Sequence, residues 1–216
     1  MRIHVCANSL WLAYDVIHPK NVQNLLPNHL RLASIPLLES DKPYPNGPKL
    51  LFNAYDVESR WMRGHRLEIV TAAYDRLKKS IHLVVLACYT DTMQWDPVGG
   101  ISRPNARVCR DDSTSSYKVN LLSVDGNEFS VNGCISKRRS LAHRFAVEGN
   151  RECYFMTHAN PYPMDFDEND VMRPVSKLNK LSISNTLWSD VRKSNPTHAF
   201  VHTSPMDFYI FNVRFP

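Results

Sequence analysis

Cysteine and glycine are both scarce, at 5 and 7 of 216 residues, and the cysteines lack the spacings that would give them a chemical task. Cys6, Cys88, Cys109, Cys134 and Cys153 are odd in number and far apart, with no C-x-x-C pair. That excludes a zinc ribbon and a dithiol redox motif, and it points to reduced thiols and a cytoplasmic location. No stretch approaches the roughly 18 apolar residues of a membrane-spanning helix. The opening MRIHVCANSLWLAYDV has neither the apolar core nor the cleavage site of a secretory leader, and reads as a strand. Also absent are G-x-S-x-G, H-E-x-x-H, G-x-x-x-x-G-K-[ST] and G-x-G-x-x-G, and with them the chemistries those motifs carry. His65 stands three residues from Glu68, on opposite faces of any strand, while His198 and His202 share a face but have no third ligand nearby. No metal and no cofactor are expected.

What is present is a globular composition. Hydrophobic residues make up 43% and charged residues 22%, which argues against disorder, a collagen-like repeat or a coiled coil. No repeat or composition shift divides the chain, so a single domain over residues 1–216 is expected. The formal net charge of +5 favours anionic partners, but 21 acidic residues are interspersed among the 26 basic ones, and the densest basic run is only Lys137-Arg138-Arg139. A small anionic or lipophilic ligand is expected as partner, not nucleic acid and not a membrane. Self-association into a homo-oligomer stays open.

Helical periodicity is confined to HPKNVQNLLPNHL, where Pro19 suits a first helical position, Val22, Leu25 and Leu26 share a face, and Pro27 ends the turn. The other periodic segments are strand-like and separated by turn residues: SLWLAYDV, KLLFNAYDVES, HRLEIVTAAYD, IHLVVLACYT, RECYFMTHA, KLNKLSISNTLW and DFYIFNVRF. The unbroken apolar run IHLVVLACYT predicts burial on both faces. Asp125-Gly126, between two strand-like runs, predicts a hairpin. A mainly β fold follows, an antiparallel barrel or half-barrel with one short N-terminal helix, since closure is how so many strands dispose of their edges.

Five stretches, in order, resemble the acetoacetate decarboxylase-like superfamily. AYDVIHPKNVQNLLPNHLRL is similar to its opening strand, helix and LP-x-x-L segment. KLLFNAYDV and MRGHRLEIVTAAYD are similar to its next two strands, IHLVVLACYTDTMQWDPVGGISRPN to its long buried strand and following turn, and PMDFYIFNVRF to its last strand. The resemblance implies a conical β-barrel around a central cavity. It also implies a Schiff-base lysine beside a second lysine that lowers its pKa, and an ungapped placement puts Arg103 and Pro104 where that pair would stand. The same placement sets Asn53 at one of two pocket carboxylates, Glu68 at the other, and Ala7 where the family has an arginine. Arginine stays protonated and cannot be the amine nucleophile, so imine chemistry is expected to be absent at this turn.

Read from the residues themselves, Gly99 and Gly100 let the backbone turn sharply, and Pro104 biases Arg103 toward extended geometry. An arginine restrained in that way can grip a carboxylate through two parallel hydrogen bonds, or it is an ordinary surface residue. Period-two alternation puts Arg66, Glu68 and Val70 on one face of their strand, and Leu51, Asn53, Tyr55 and Val57 on one face of theirs. If the first face looks inward, Glu68 is a buried carboxylate fit for general acid or base work. If it looks outward, Arg66 and Glu68 are solvated neighbours. Asn53 offers a neutral hydrogen-bonding pair, and Tyr55, Trp61, Tyr89 and Trp95 are candidates to line an apolar pocket or are plain core. Lys118 is the one mid-chain strand lysine that could serve as a relocated amine, and is otherwise an edge-strand lysine.

Two classes of function fit. One is a cofactor-independent, lyase- or isomerase-like enzyme in which Arg103 anchors a substrate carboxylate and Glu68 moves a proton, with Asn53, Tyr55, Arg66, Gly99 and Gly100 contributing to binding. The other is a non-catalytic barrel that binds a small lipophilic or acidic ligand.

Overall fold

The computed structural model describes residues 2–6, 9–34, 47–59, 63–91, 102–103, 107–112, 116–122, 128–136, 152–155, 162–166, 172–183, 196–202 and 205–209. Its first half contains β1 (Arg2–Val5), β2 (Ser9–Asp15), helix α1 (Pro19–Leu25), β3 (Leu30–Leu32), β4 (Lys49–Glu58), β5 (Arg63–Asp75), β6 (Ser80–Thr90) and β7 (Ser102–Arg103). There follow β8 (Arg107–Asp112), β9 (Ser116–Leu122), β10 (Glu128–Ile135), β11 (Glu152–Phe155), β12 (Tyr162–Phe166), β13 (Met172–Ile183), β14 (His198–His202) and β15 (Met206–Tyr209).

The pairings of one group of strands form a circuit. From β4 they run to β5, β6, β11, β12, β15 and β1, and β1 returns to β4 through His4 opposite Glu58 and Val5 opposite Val57. A row of strands that comes back to its start leaves no open edge along the way, which is the barrel-like solution expected for so many strands. The edge of β4 that receives β1 at one end receives β2 at the other, with Leu10 opposite Ala54 through Asp15 opposite Lys49. From β2 the order continues through β14, β13, β10 and β9 to β8.

Alternation divides the side chains of β2, β4 and β5 between two faces. Leu10, Leu12 and Tyr14, with Leu50, Phe52 and Ala54 and then Leu67, Ile69 and Ala73, build one continuous core with Val119, Phe129 and Val131 of the β9–β10 hairpin. Phe52 stacks on Phe129 with ring centres 5.6 Å apart, and Tyr14 meets Phe52 edge-on at 5.4 Å. Full burial of each such side chain stabilises the fold by about 1.5–3 kcal/mol before cavity effects. Helix α1 adds Val22, and Leu26 just past its end joins the same core. The helix stops before Pro27, as expected. The side chain of Gln23 then clamps β3, donating to the Leu30 carbonyl at 3.1 Å and accepting from the Leu32 amide at 2.8 Å.

Two polar fixtures hold this frame. Lys49, buried, donates to Asp15 directly across β2 and β4, and lies 3.5 Å from Thr197 Oγ1. Asp75, buried at the β5–β6 turn, accepts from the amides of Leu77 and Lys78 at 2.7 and 3.2 Å, and Lys79 completes that turn with φ +55°. The β9–β10 hairpin forms with Leu122 opposite Glu128; its Asp125-Gly126 turn lies outside the described residues. Lys118 is exposed, but it is not an edge-strand lysine: β9 lies between β8 and β10, and alternation alone turns Lys118 away from the core that takes Tyr117 and Val119. Among the described residues, no helix is long and apolar enough to cross a membrane.

Candidate functional site

The face of β2, β4, β5 and β6 that turns away from the core is also buried, and it is there that polar side chains collect. Strand register orders them into rows, because opposed residues on paired strands share a face. One row runs Phe200, Trp11, Asn53, Glu68, Cys88, and reaches β7 at Ser102. The next contains Tyr55, Arg66 and Thr90, with Ser9 opposite His202 at its far end. A third, Ala13, Leu51, Val70 and Val85, is apolar. Ser9, Asn53, Arg66, Glu68, Thr90 and His202 are all buried. The two rows that carry them lie side by side.

Glu68 is 2% exposed and Arg66 1%. The Tyr55 hydroxyl donates to Glu68 Oε1, and Arg66 Nη1 lies 3.8 Å from the same oxygen, within ion-pair range and beyond a direct hydrogen bond. Removing two opposite charges from water costs several kcal/mol per ion and is recovered only where the partners are well placed. Burial, reinforced by the negative charge of Glu68 and opposed by the positive charge of Arg66, holds the Tyr55 phenol well above the ordinary tyrosine range. Tyr55 is therefore a neutral hydroxyl that gives its proton to a hydrogen bond and keeps it. Asn53, across the strand from Glu68, has a buried Oδ1 with no hydrogen-bond partner among the described residues, and the same holds for Ser9 Oγ. Trp11 stacks on Phe200 at 6.3 Å, forming an aromatic wall beside Asn53.

Against solved structures the whole chain finds a consistent likeness. The enduracididine biosynthesis enzyme MppR complexed with pyruvate matches with a TM-score of 0.62 at 11% identity, over 96% of this chain and 88% of that one. Acetoacetate decarboxylase from Legionella pneumophila matches with 0.62 at 10% identity, over 96% and 85%. An acetoacetate decarboxylase-like enzyme from Sphingomonas wittichii matches with 0.59 at 9% identity, over 96% and 89%. The chain has the acetoacetate decarboxylase-like fold. No family model and no curated protein matches the sequence.

Within this acetoacetate decarboxylase-like fold, four of the residues singled out from sequence come together: Asn53, Tyr55, Arg66 and Glu68 lie on one buried face, in adjacent rows. The inward alternative for Glu68 is the one observed. Arg103 is extended, as its place before Pro104 requires, and pairs in parallel with β6; its register partner is Tyr89, while Ser102 is the residue that meets the Glu68 row. Gly99, Gly100, Ala7, Trp61 and Trp95 lie outside the described residues. Tyr89 belongs to the core face, packed with Leu67 and Ile69, and lines nothing on the polar side. Among the described residues, no three His, Cys, Asp or Glu side chains converge as a metal site.

Sequence reasoning missed Ser9, Trp11, Thr90, His202 and Phe200. A signal exists for the first two: in SLWLAYDV, alternation separates Ser9 and Trp11 from Leu10, Leu12 and Tyr14. His202 and Phe200 reach this face only because β14 pairs with β2, about 190 positions earlier in the chain, and no local pattern announces that.

Proposed function

We propose that this acetoacetate decarboxylase-like chain acts on a small carboxylate-bearing metabolite by proton transfer, without an imine and without a cofactor. The observation that carries the reading is the buried Glu68, bonded by the Tyr55 hydroxyl and facing Arg66, on a sheet face separate from the hydrophobic core. On this reading the circuit of strands wraps that face and encloses the ligand. Glu68 takes a proton from carbon next to the ligand's carbonyl or carboxylate and returns it. Tyr55, neutral at every physiological pH, orients the carboxylate oxygen, and Arg66 balances the negative charge that develops. Arg103, expected from sequence to anchor a substrate carboxylate, has the core-face Tyr89 as its register partner and has no part in this mechanism. Its constant protonation rules out the amine chemistry of the lysine that the resemblance would place there.

The test is proton exchange in D₂O, followed by NMR, over a panel of small 2-oxo and 3-oxo acids. Wild type is expected to exchange the proton next to the carbonyl of at least one acid. Glu68→Gln should bind that acid and lose exchange by about 10²-fold or more, and Glu68→Asp, which keeps the charge but shortens the reach, should fall between. Wild-type exchange rates in Glu68→Gln would remove Glu68 from the mechanism. Mass addition to a lysine after borohydride and a keto acid would restore the imine.

A non-catalytic binding barrel is the second reading. It is favoured by the same trio seen as a closed set, in which Tyr55 and Arg66 already engage Glu68. Binding without exchange across the panel is its signature.

A further inference from the structure

Three features outside the Tyr55–Arg66–Glu68 trio were candidates for a task of their own. His65 lies 2.8 Å from Asp91 and 3.8 Å from Asp56, a surface ion-pair cluster at the end of β4 and β5. Lys49 and Asp15 join β2 to β4 and are fully accounted for by that role. The third feature, on the polar face itself, is the pair of buried oxygens that the fold leaves without partners: Ser9 Oγ and Asn53 Oδ1.

Leaving a buried polar atom unsatisfied is costly, and native structures keep such atoms few, each with a reason. Of the atoms of this kind among the described residues, the oxygens of Ser9 and Asn53 lie on neighbouring strands and on one face. Ser9 stands one residue beyond the Leu10–Ala54 pair and Trp11 stands opposite Asn53, so Ser9 and Asn53 are diagonal neighbours across β2 and β4. Diagonal neighbours have side-chain origins roughly 7 Å apart. At that spacing one small group placed between the two side chains is within ordinary hydrogen-bond reach of both.

The chemistry of that group is constrained from three sides. Asn53 Oδ1 only accepts, so the group must donate a hydrogen. Ser9 Oγ both donates and accepts, so the group need not be a pure donor. Nearby, Arg66 and Glu68 offset each other, and the buried His202 stands opposite Ser9. Trp11, stacked on Phe200, adds an aromatic wall. A neutral hydroxyl on a carbon chain can donate to Asn53 and exchange hydrogen bonds with Ser9, whereas a carboxylate cannot donate and an ammonium group cannot accept. The distance to the acid–base residue is also set, because Asn53 is the direct cross-strand neighbour of Glu68 and opposed residues lie about 4.5–5.5 Å apart.

The geometry points to a hydroxyl-recognition subsite formed by Ser9 and Asn53, so that the ligand is a hydroxylated small carboxylic acid whose hydroxyl lies one strand away from Glu68. This rests on the reading of the polar face as a ligand site, and it adds the substrate class. Serine and asparagine at these positions are specificity-determining residues; they take no part in moving the proton.

The experiment compares matched acids that differ only by the hydroxyl, 3-hydroxybutyrate against butyrate and lactate against propionate, by NMR titration of the full chain. Wild type is expected to favour a hydroxylated member by about tenfold or more, the discrimination one well-made buried hydrogen bond supplies. Ser9→Ala and Asn53→Leu should each bring that ratio close to one. Ser9→Ala serves as the variant that folds: because it deletes an unsatisfied atom, its thermal midpoint should equal or exceed that of wild type, and a clear drop would mean that the protein itself satisfies Ser9 and would overturn the subsite. Equal binding of both members of each pair, the result expected if a buried water alone bridges the two oxygens, overturns the subsite and leaves the proton-transfer reading standing. No binding of any acid, in wild type or variants, overturns both.

Discussion

Tyr55 and Glu68 form a matched donor and acceptor whose behaviour with pH follows from burial. The phenol is held well above its ordinary range, first by removal from water and then by the adjacent negative charge, and Tyr117 in the core is raised as well, also chiefly by burial. A group that binds its proton more tightly when folded contributes stability that is complete below its unfolded pKa of about 10 and is lost as pH rises through that value toward the folded one. Urea midpoints are therefore expected to be insensitive to the tyrosines from neutrality to about pH 9.5 and to fall above about pH 10. In Tyr55→Phe that fall should be shallower, with part of it remaining because Tyr117 is untouched. A midpoint that is flat in wild type between pH 9 and pH 11 would contradict the buried donor.

Single elements were legible to different depths. Alternation in KLLFNAYDVES and HRLEIVTAAYD was enough to put Asn53 with Tyr55 and Arg66 with Glu68, and the helix was marked by Pro19 and Pro27 at its ends. What alternation cannot supply is which face is buried, or which strand lies alongside. Both faces of β5 proved to be covered, so polarity alone did not separate Glu68 from a solvated residue. Tyr89 was equally ambiguous until β6 was paired with β5, which put it opposite Leu67 on the core side. The turn between these strands carries its own prediction. Asp75 satisfies two amide groups in a bend that also holds Lys79 at positive φ, so Asp75→Ala should cost about 1–3 kcal/mol through the two stranded donors, read as a lower urea midpoint with unchanged slope. Asp75→Asn, which keeps one acceptor oxygen, should recover much of it.

At the scale of the molecule, the pairings that close the circuit and flank the site join strands far apart in sequence. β1 pairs with β15 from Arg2 opposite Tyr209 to Val5 opposite Met206, and β14 lies against β2. Such pairings require long loops to close before they yield any contact, which in general slows folding. Deleting residues 205–216 removes β15 and should leave β1 and β12 with unpaired edges, seen as concentration-dependent association by light scattering and as rapid alkylation of Cys88, which the complete chain keeps buried. A truncated chain that stays monodisperse, with Cys88 still protected, would show that the circuit is not what shields this face.

The aromatic wall beside Asn53 has an optical consequence. An indole packed face to face against a phenyl ring, next to two unsatisfied oxygens, emits according to what occupies the space before it, and subtracting the spectrum of a Trp11→Phe chain isolates that emission from the other tryptophans. The protein thus carries its own dye at the place where occupancy would be read.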